Sequence, residues 1–160
     1  MSNWERYKHT MQTAPELWSA AKANEISTLI RLVRNADVNV KDARGYSPLM
    51  LAAYSGSLEA AQLLLQVGAD PNTSDSSGNS ALMGAAFKGN VYMMDVILKN
   101  GADYKQCNNA GMTALDFAVM FGRKAAQEKL EAVQGNLKGT GRFSVIIKIV
   151  KNYFSRLMRL

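Results

Sequence analysis

The stretch GYSPLMLAAYSG at residues 45–56 returns twice along the chain. It returns as GNSALMGAAFKG at residues 78–89 and as GMTALDFAVMFG at residues 111–122, so each step is 33 residues long. The Gly-Ala-Asp at residues 68–70 follows the same step to residues 101–103. Self-similarity at a fixed period of this length predicts a chain built from stacked copies of one structural unit.

Each copy predicts a pair of short helices. In the first copy Ser47 is suited to cap a helix, and Pro48 to occupy its first position, where a missing N–H costs nothing. The next apolar residues recur at helical spacing, and two alanines among them let a neighbouring helix approach closely. Gly56 is typical of a helix end, and a second apolar helix follows up to Gly68. One such pair cannot bury its apolar face alone, so we expect the pairs to stack.

This pattern resembles the ankyrin repeat, whose signature is a turn, then Thr-Pro-Leu-His-x-Ala-Ala, a glycine, a Leu-Leu pair and Gly-Ala-Asp. The resemblance covers about residues 14–134, with a degenerate first unit that lacks the leading turn glycine. It implies an all-α solenoid of helix-turn-helix units with short hairpin loops. The family histidine is replaced by Met50, Met83 and Asp116, and its proline by Ala81 and Ala114.

The predicted organisation has seven parts: an N-terminal segment (1–13), a degenerate capping repeat (14–41), three ankyrin repeats (42–74, 75–107 and 108–134, the last with a partial second helix), a glycine-rich break (135–142) and a basic amphipathic helix (143–160). Gly84 falls inside a predicted helix at a cost of about 1 kcal/mol relative to alanine, so we expect the second full repeat to be the least stable. Trp4, Tyr7 and Met11, at helical spacing, are expected to pack and seal the first end of the stack.

The resemblance implies a protein-binding module, because the family binds partners through its hairpin tips and the outward side of its first helices. On this chain those positions include Arg44, Tyr46, Tyr54, Asn79, Phe87, Lys88, Met112, Met120 and Phe121. A helical wheel adds Met50 and Met83, which it places opposite the core-facing leucines and alanines. Aromatic residues dominate interface hot spots, and methionine adapts to irregular surfaces. The alternative is that some of these side chains pack locally, against the preceding hairpin or the N-terminal segment.

We expect the partner to be a folded protein with some acidic character, since Arg44 and Lys88 flank this face. Binding would act by occupancy, inhibiting, stabilising or delivering the partner, and inhibition of an enzyme is the preferred interpretation. A surface for nucleic acid is not expected, because the chain carries 13 basic and 13 acidic residues through Glu131. The whole excess of +6 follows in the last 29 residues, which contain no acidic residue.

The basic end of the chain is predicted to form an amphipathic helix, although the β-branched run at residues 145–147 leaves a strand possible. The helix allows three interpretations. An amphipathic helix over residues 143–160 places its cations on one side, among them Lys148, Lys151, Arg156 and Arg159. Such a helix could lie on an anionic membrane, which would make the protein a peripheral membrane adaptor, or enter a groove of a partner protein. It could also cover the open apolar end of the stack, since terminal repeats need capping.

Chemistry-bearing residues are sparse. Cys107 is the single cysteine, which excludes an internal disulfide and a zinc site built on several cysteines. The single histidine, His9, leaves little material for imidazole catalysis. Asp70 and Asp103 share one repeat register, which favours turn capping over acid–base chemistry. We therefore expect no enzyme activity, no metal, no cofactor and no small-molecule substrate. The first residues show no secretory signal pattern, so we expect a cytoplasmic location.

Overall fold

The computed structural model describes residues 2–135, which form eight α-helices and no β-strand. The predicted all-α stack of helix pairs is confirmed. The segment beyond Gly135, including the predicted basic helix at 143–160, lies outside the described residues. The helices are α1 (Asn3–Ala23), α2 (Ile26–Leu32), α3 (Pro48–Ser55), α4 (Leu58–Gln66), α5 (Ala81–Lys88), α6 (Val91–Lys99), α7 (Ala114–Met120) and α8 (Lys124–Val133).

The helices form two parallel rows. α1, α3, α5 and α7 make the first row, in which each helix contacts the next, and α2, α4, α6 and α8 make the second row. Helices of the first row contact one another more extensively than those of the second row. The face formed by the first row and the loops that lead into it is here called the inner face.

The caps follow the repeat register that the sequence predicts. The hydroxyl groups of Ser47, Ser80 and Thr113 each accept the backbone N–H three residues later, at the start of α3, α5 and α7. Gly56 and Gly89 end α3 and α5 in the left-handed conformation, with φ of 79° and 73°. These side-chain bonds and turns satisfy backbone groups that a short helix leaves unpaired at its ends.

The core is continuous through the stack and repeats with the sequence. Leu49, Leu82 and Leu115 occupy one register and are 0%, 1% and 6% exposed. The alanines three residues after each of them are fully buried. Their small side chains allow first-row helices to pack closely, so that burial in each repeat depends on its neighbours.

The N-terminal segment does not form a separate part, because α1 runs without a break from Asn3 to Ala23. The boundary predicted after residue 13 therefore falls inside a helix. The expected packing of Trp4, Tyr7 and Met11 is wrong: these side chains are 61%, 54% and 47% exposed. The reason is that α1 extends past the shorter α3, so no neighbouring helix of the described chain lies beside its first turns.

The last repeat has a full second helix, α8, rather than the partial one expected. Ala126 and Leu130 are buried against the stack, while Lys124, Glu128 and Glu131 are exposed. A helix with one apolar and one charged side closes a repeat stack without leaving an open apolar end. The need for a further cap at this end, one of the reasons for the interpretation of residues 143–160 as a cap, is thereby weakened.

Candidate protein-binding surface

The loops that lead into α3, α5 and α7 are tight turns organised by one polar side chain each. In the first, Asp42 Oδ1 accepts the N–H groups of Arg44 and Tyr46, and the N–H of Asp42 donates to the carbonyl of Tyr46. Asp75 and Asn108 organise the second and third turns in the same way. Because their backbone groups are satisfied internally, the three tips present fixed side chains to solvent.

Adjacent tips are also bonded to each other. The backbone N–H and hydroxyl of Ser76 both donate to the Arg44 carbonyl, at 3.1 and 2.8 Å. The N–H of Asn109 donates to the Ser77 carbonyl at 3.0 Å. Gly45 permits this approach: its φ is +84°, and a Cβ there would lie 2.8 Å from the Ser76 nitrogen. The three tips therefore form one rigid edge of the inner face.

Asn79 was predicted as a partner contact, and its side chain is half-buried and already engaged within this edge. Its Nδ2 donates to Asp75 Oδ2 at 3.1 Å, and its Oδ1 accepts the Nδ2 of Asn108 at 2.8 Å. An amide with both ends bonded inside the stack gains little by turning to a partner. The Asn79 side chain therefore joins the second tip to the third.

Tyr54 lies across two repeats. Its ring meets the ring of Tyr46 edge-on, with centroids 5.8 Å apart, and rests on the backbone of Gly84 in α5. A Cβ on Gly84 would lie 3.0 Å from Cε1 and Cζ of the ring. Because Gly84 has no side chain, it leaves room for the Tyr54 ring. A side chain of the first full repeat thus packs on a helix of the second.

The hydroxyl of Tyr54 stays protonated over the physiological range. Burial raises the pKa of Tyr54 to about 12, and the negative charge of Asp75 and the nearby Tyr46 add to the shift. A neutral phenol at this place can donate a hydrogen bond to a carboxylate or carbonyl group of a partner.

A second aromatic group continues the row on α5 and α7. The rings of Phe87 and Phe121 meet edge-on with centroids 4.6 Å apart, and Phe117 lies 6.3 Å from Phe121. Phe87 is three residues after Gly84 on α5, so it lies on the same helix face, next to the point where Tyr54 contacts Gly84. We call Tyr46, Tyr54, Phe87, Phe117 and Phe121 the aromatic row.

The members of the row differ in exposure. Phe121 is 43% exposed, and the other four are half-buried. Met112 and Met120, also predicted, are half-buried in the last repeat. The rings are thus held by edge-to-face contacts and stay partly exposed, an arrangement that needs little further ordering on binding.

Met50 and Met83 are not on this surface. Both are fully buried, and the prediction that they project away from the core is wrong. The helical wheel assigned one buried face to each first helix, but α3 is contacted by α4, by α1 and by α5. A helix enclosed on three sides buries residues that lie opposite its own partner helix.

The repeat position of Met50 and Met83 is occupied by a residue with a different role at the end of the stack. Asp116, in the position of Met50 and Met83, accepts the N–H and the hydroxyl of Thr113, both at 2.8 Å. No described repeat follows α7, so a polar side chain at this register remains half-buried and serves as a helix cap.

Cationic groups border the row. The Arg44 guanidinium lies 5.3 Å from the Tyr46 ring centroid, and the Lys88 ammonium lies 5.7 Å from that of Phe87. Arg123 donates from Nε to the Phe87 carbonyl at 2.9 Å and leaves its remaining N–H groups exposed. None of the three forms an ion pair with a described carboxylate. The surface therefore combines partly exposed aromatic rings with cationic side chains that no described ion pair engages.

Sequence reasoning missed Phe117 and Arg123. The signal for Phe117 was the repeat register itself, since it corresponds to Leu51 and Gly84, the central position of each first helix on the inner face. Arg123 has no counterpart of the same kind one step earlier, where Asn90 stands. Its contact with the Phe87 carbonyl follows from the packing of two repeats and has no sequence signal.

Asp70 and Asp103 accept the N–H groups of Asn72 and Lys105, as expected of turn caps. Among residues 2–135 no group of three potential metal ligands comes together. The helices of this part of the chain also include none that is long and apolar enough to cross a bilayer.

The architecture and the repeat register agree with the comparison to protein families. The profile described as ankyrin repeats in three copies matches residues 17–106, and a second ankyrin-repeat profile, described as many copies, matches residues 84–134. This chain belongs to the ankyrin repeat family. Ankyrin repeats are generally protein–protein interaction modules. The search of curated proteins finds no match to this chain.

Proposed function

We propose that this protein binds a folded protein partner through the aromatic row and the hairpin tips of its inner face. The observation that carries the proposal is the set of partly exposed rings on a face already ordered by its own contacts. Aromatic and arginine side chains commonly dominate binding energy, and here both kinds lie side by side.

The charge of the surface restricts the kind of partner surface that fits. Arg44, Lys88 and Arg123 border the row without described carboxylate partners. A partner surface that carries acidic residues around an apolar centre fits this arrangement, and its binding weakens as salt rises. The bound partner would be inhibited or stabilised by occupancy, because binding covers part of its surface.

The test compares two exposed aromatic residues on opposite rows. Phe121→Ala removes the most exposed ring of the aromatic row, and Tyr92→Ala removes a ring that is 77% exposed on the second-row helix α6. Proteins captured by the wild-type chain are compared with those captured by each variant, and the affinity of the purified partner is then measured. We expect Phe121→Ala to weaken binding by about 2 kcal/mol, roughly thirtyfold in Kd, and Tyr92→Ala to leave it unchanged.

Circular dichroism controls for the fold of both variants. A partner whose affinity falls with Tyr92→Ala and not with Phe121→Ala would place binding on the other row and refute the proposal. An activity assay of the partner, with and without one equivalent of this chain, then distinguishes inhibition from stabilisation.

A further inference from the structure

α1 is far longer than the other first-row helices. It has 21 residues, whereas α3 and α5 have eight each. The residues from 3 to 13 add about 16 Å of helix beyond the part that corresponds to the repeats. This extension is stabilised at its start by a capping box between Ser2 and Glu5.

One face of α1 has the spacing of a helix–helix seam along its whole length. Trp4, Tyr7, Met11, Ala14 and Trp18 follow one another at steps of three and four residues. Ala14 is buried and Trp18 is half-buried, with its Nε1 donating to the Val40 carbonyl at 3.1 Å. Trp4, Tyr7 and Met11, here called the α1 stripe, continue the seam with about half of each side chain exposed. The seam is therefore covered at one end and open at the other.

The open end borders a groove. Tyr7, Met11, Asn3, Thr10 and Asp37 line a cavity of about 420 Å³. Buried Thr10 accepts the Asp37 N–H at 3.0 Å, which fixes the extension against the loop after α2. The Asp37 carboxylate accepts the Asn39 N–H through Oδ1 and stays exposed at the rim. The groove therefore has an apolar wall, the Asp37 carboxylate at its rim and the Lys8 ammonium 5.0 Å from the Trp4 ring centroid, so it fits a segment that is mainly apolar.

We propose that residues 143–160 of the same chain cover the α1 stripe. This segment contains Phe154, Leu157 and Met158, four basic residues on one predicted face and no acidic residue. The apolar residues of this segment recur at the same three- and four-residue spacing as those of the seam.

The segment is long enough to reach. From Gly135, seven residues span at most about 23 Å, and a further 18 residues add about 27 Å if helical. Three steps between first-row helices separate α7 from α1, or about 24–30 Å. The last turns of the segment therefore reach the stripe.

A tethered occupant also suits the size of the stripe. Three side chains about half exposed offer roughly 300 Å² of apolar surface, well below the ~800 Å² per partner of a stable dimer. A segment of the same chain is present at an effective concentration near the millimolar range, so a small contact is enough to hold it.

The test uses the full chain and its tryptophans, both of which lie on α1. In a Trp18→Phe background, acrylamide quenching reports Trp4 alone. Phe154→Ser with Leu157→Ser removes apolar contacts from the segment, and Asn152→Ala with Ser155→Ala changes its predicted polar side as the matched control. We expect the Phe154/Leu157 pair to raise the quenching constant of Trp4 about twofold or more and the control to leave it unchanged.

Circular dichroism verifies the fold of each variant, and a dilution series identifies the occupant. Protection of Trp4 that persists on dilution and depends on Phe154 and Leu157 supports the proposal. Protection that disappears on dilution indicates a second copy and overturns it. Protection that arises only with phosphatidylserine-containing vesicles indicates a membrane surface and also overturns it. So does a Trp4 that is quenched as readily as free N-acetyltryptophanamide.

Discussion

Gly84→Ala tests whether the glycine inside α5 is needed for the packing of Tyr54 or only destabilises the second repeat through its low helix propensity. The backbone at Gly84 is helical, so alanine would gain about 1 kcal/mol of helix propensity. Against this, its Cβ would lie 3.0 Å from two atoms of the Tyr54 ring, closer than ordinary contact allows. The ring cannot withdraw freely, since Tyr46 packs against it.

The net effect follows from these two magnitudes. Overpacking of this kind costs about 1–3 kcal/mol, which exceeds the gain in propensity. We expect Gly84→Ala to lower the free energy of unfolding by about 1 kcal/mol and the Tm by about 2–4 °C. In a Tyr54→Ala background the clash is absent, so the same substitution should stabilise the chain by about 1 kcal/mol.

Urea denaturation of the four variants in this cycle measures the coupling, expected to be about 2 kcal/mol between the two positions. The reversal of sign is the decisive result, because a general defect of α5 would affect both backgrounds alike. If Gly84→Ala stabilises the chain with Tyr54 present, the ring does not rest on Gly84, and the helix propensity of alanine alone decides the outcome.

Three further predictions concern the tips, the core and the titration of Tyr54. Gly45→Ala should cost about 2 kcal/mol or more in urea denaturation and Gly111→Ala about 1 kcal/mol, because both have positive φ but only the first would meet the next tip. Met83→Ala should cost about 2–5 kcal/mol and Tyr92→Ala almost nothing, since the first is fully buried and the second is 77% exposed. Because the pKa of Tyr54 is raised to about 12 from 10.0, its contribution to stability is complete below pH 10 and is lost as the pH rises toward 12. The Tm of Tyr54→Phe should therefore fall less steeply with pH over that interval than the Tm of the wild-type chain.

The sequence was sufficient for features that one repeat determines by itself. A serine or threonine before each first helix and a glycine after α3 and α5 fix where those helices begin and end, whatever their neighbours are. The register of the buried leucines and alanines also follows from the 33-residue step. These are local rules repeated along the chain, and stacking does not alter them.

Features that depend on the number of neighbours were not predicted correctly. Met50 and Met83 looked outward on a single helix but are enclosed by the first-row helices on both sides. Trp4 and Tyr7 were expected to be covered, yet α1 extends beyond every described helix that could cover them. A helical wheel contains the direction of each side chain and no information on how far the adjacent helix extends.

The second full repeat supports the aromatic row from both sides, and this connects stability with binding. Tyr54 of the first repeat rests on α5 at Gly84, and Phe121 of the third packs against Phe87 of the same helix. Arg123 adds a bond to the Phe87 carbonyl. Tyr54 and Phe121 are thus each held in part by a repeat other than their own.

A buried substitution should therefore change binding without contacting the partner. Gly84 is buried, but alanine there displaces the Tyr54 ring by a few tenths of an ångström or more. We expect Gly84→Ala to weaken binding of the captured partner severalfold at a temperature where the chain remains fully folded, since interface packing tolerates such shifts poorly. The measurement is the Kd of the purified partner, with Met83→Leu, a volume-conserving core change in the same helix, as the control. Equal affinities for wild type and Gly84→Ala would mean that Tyr54 lies outside the binding surface, and the surface would then be reduced to the rings of α5 and α7 and the tips.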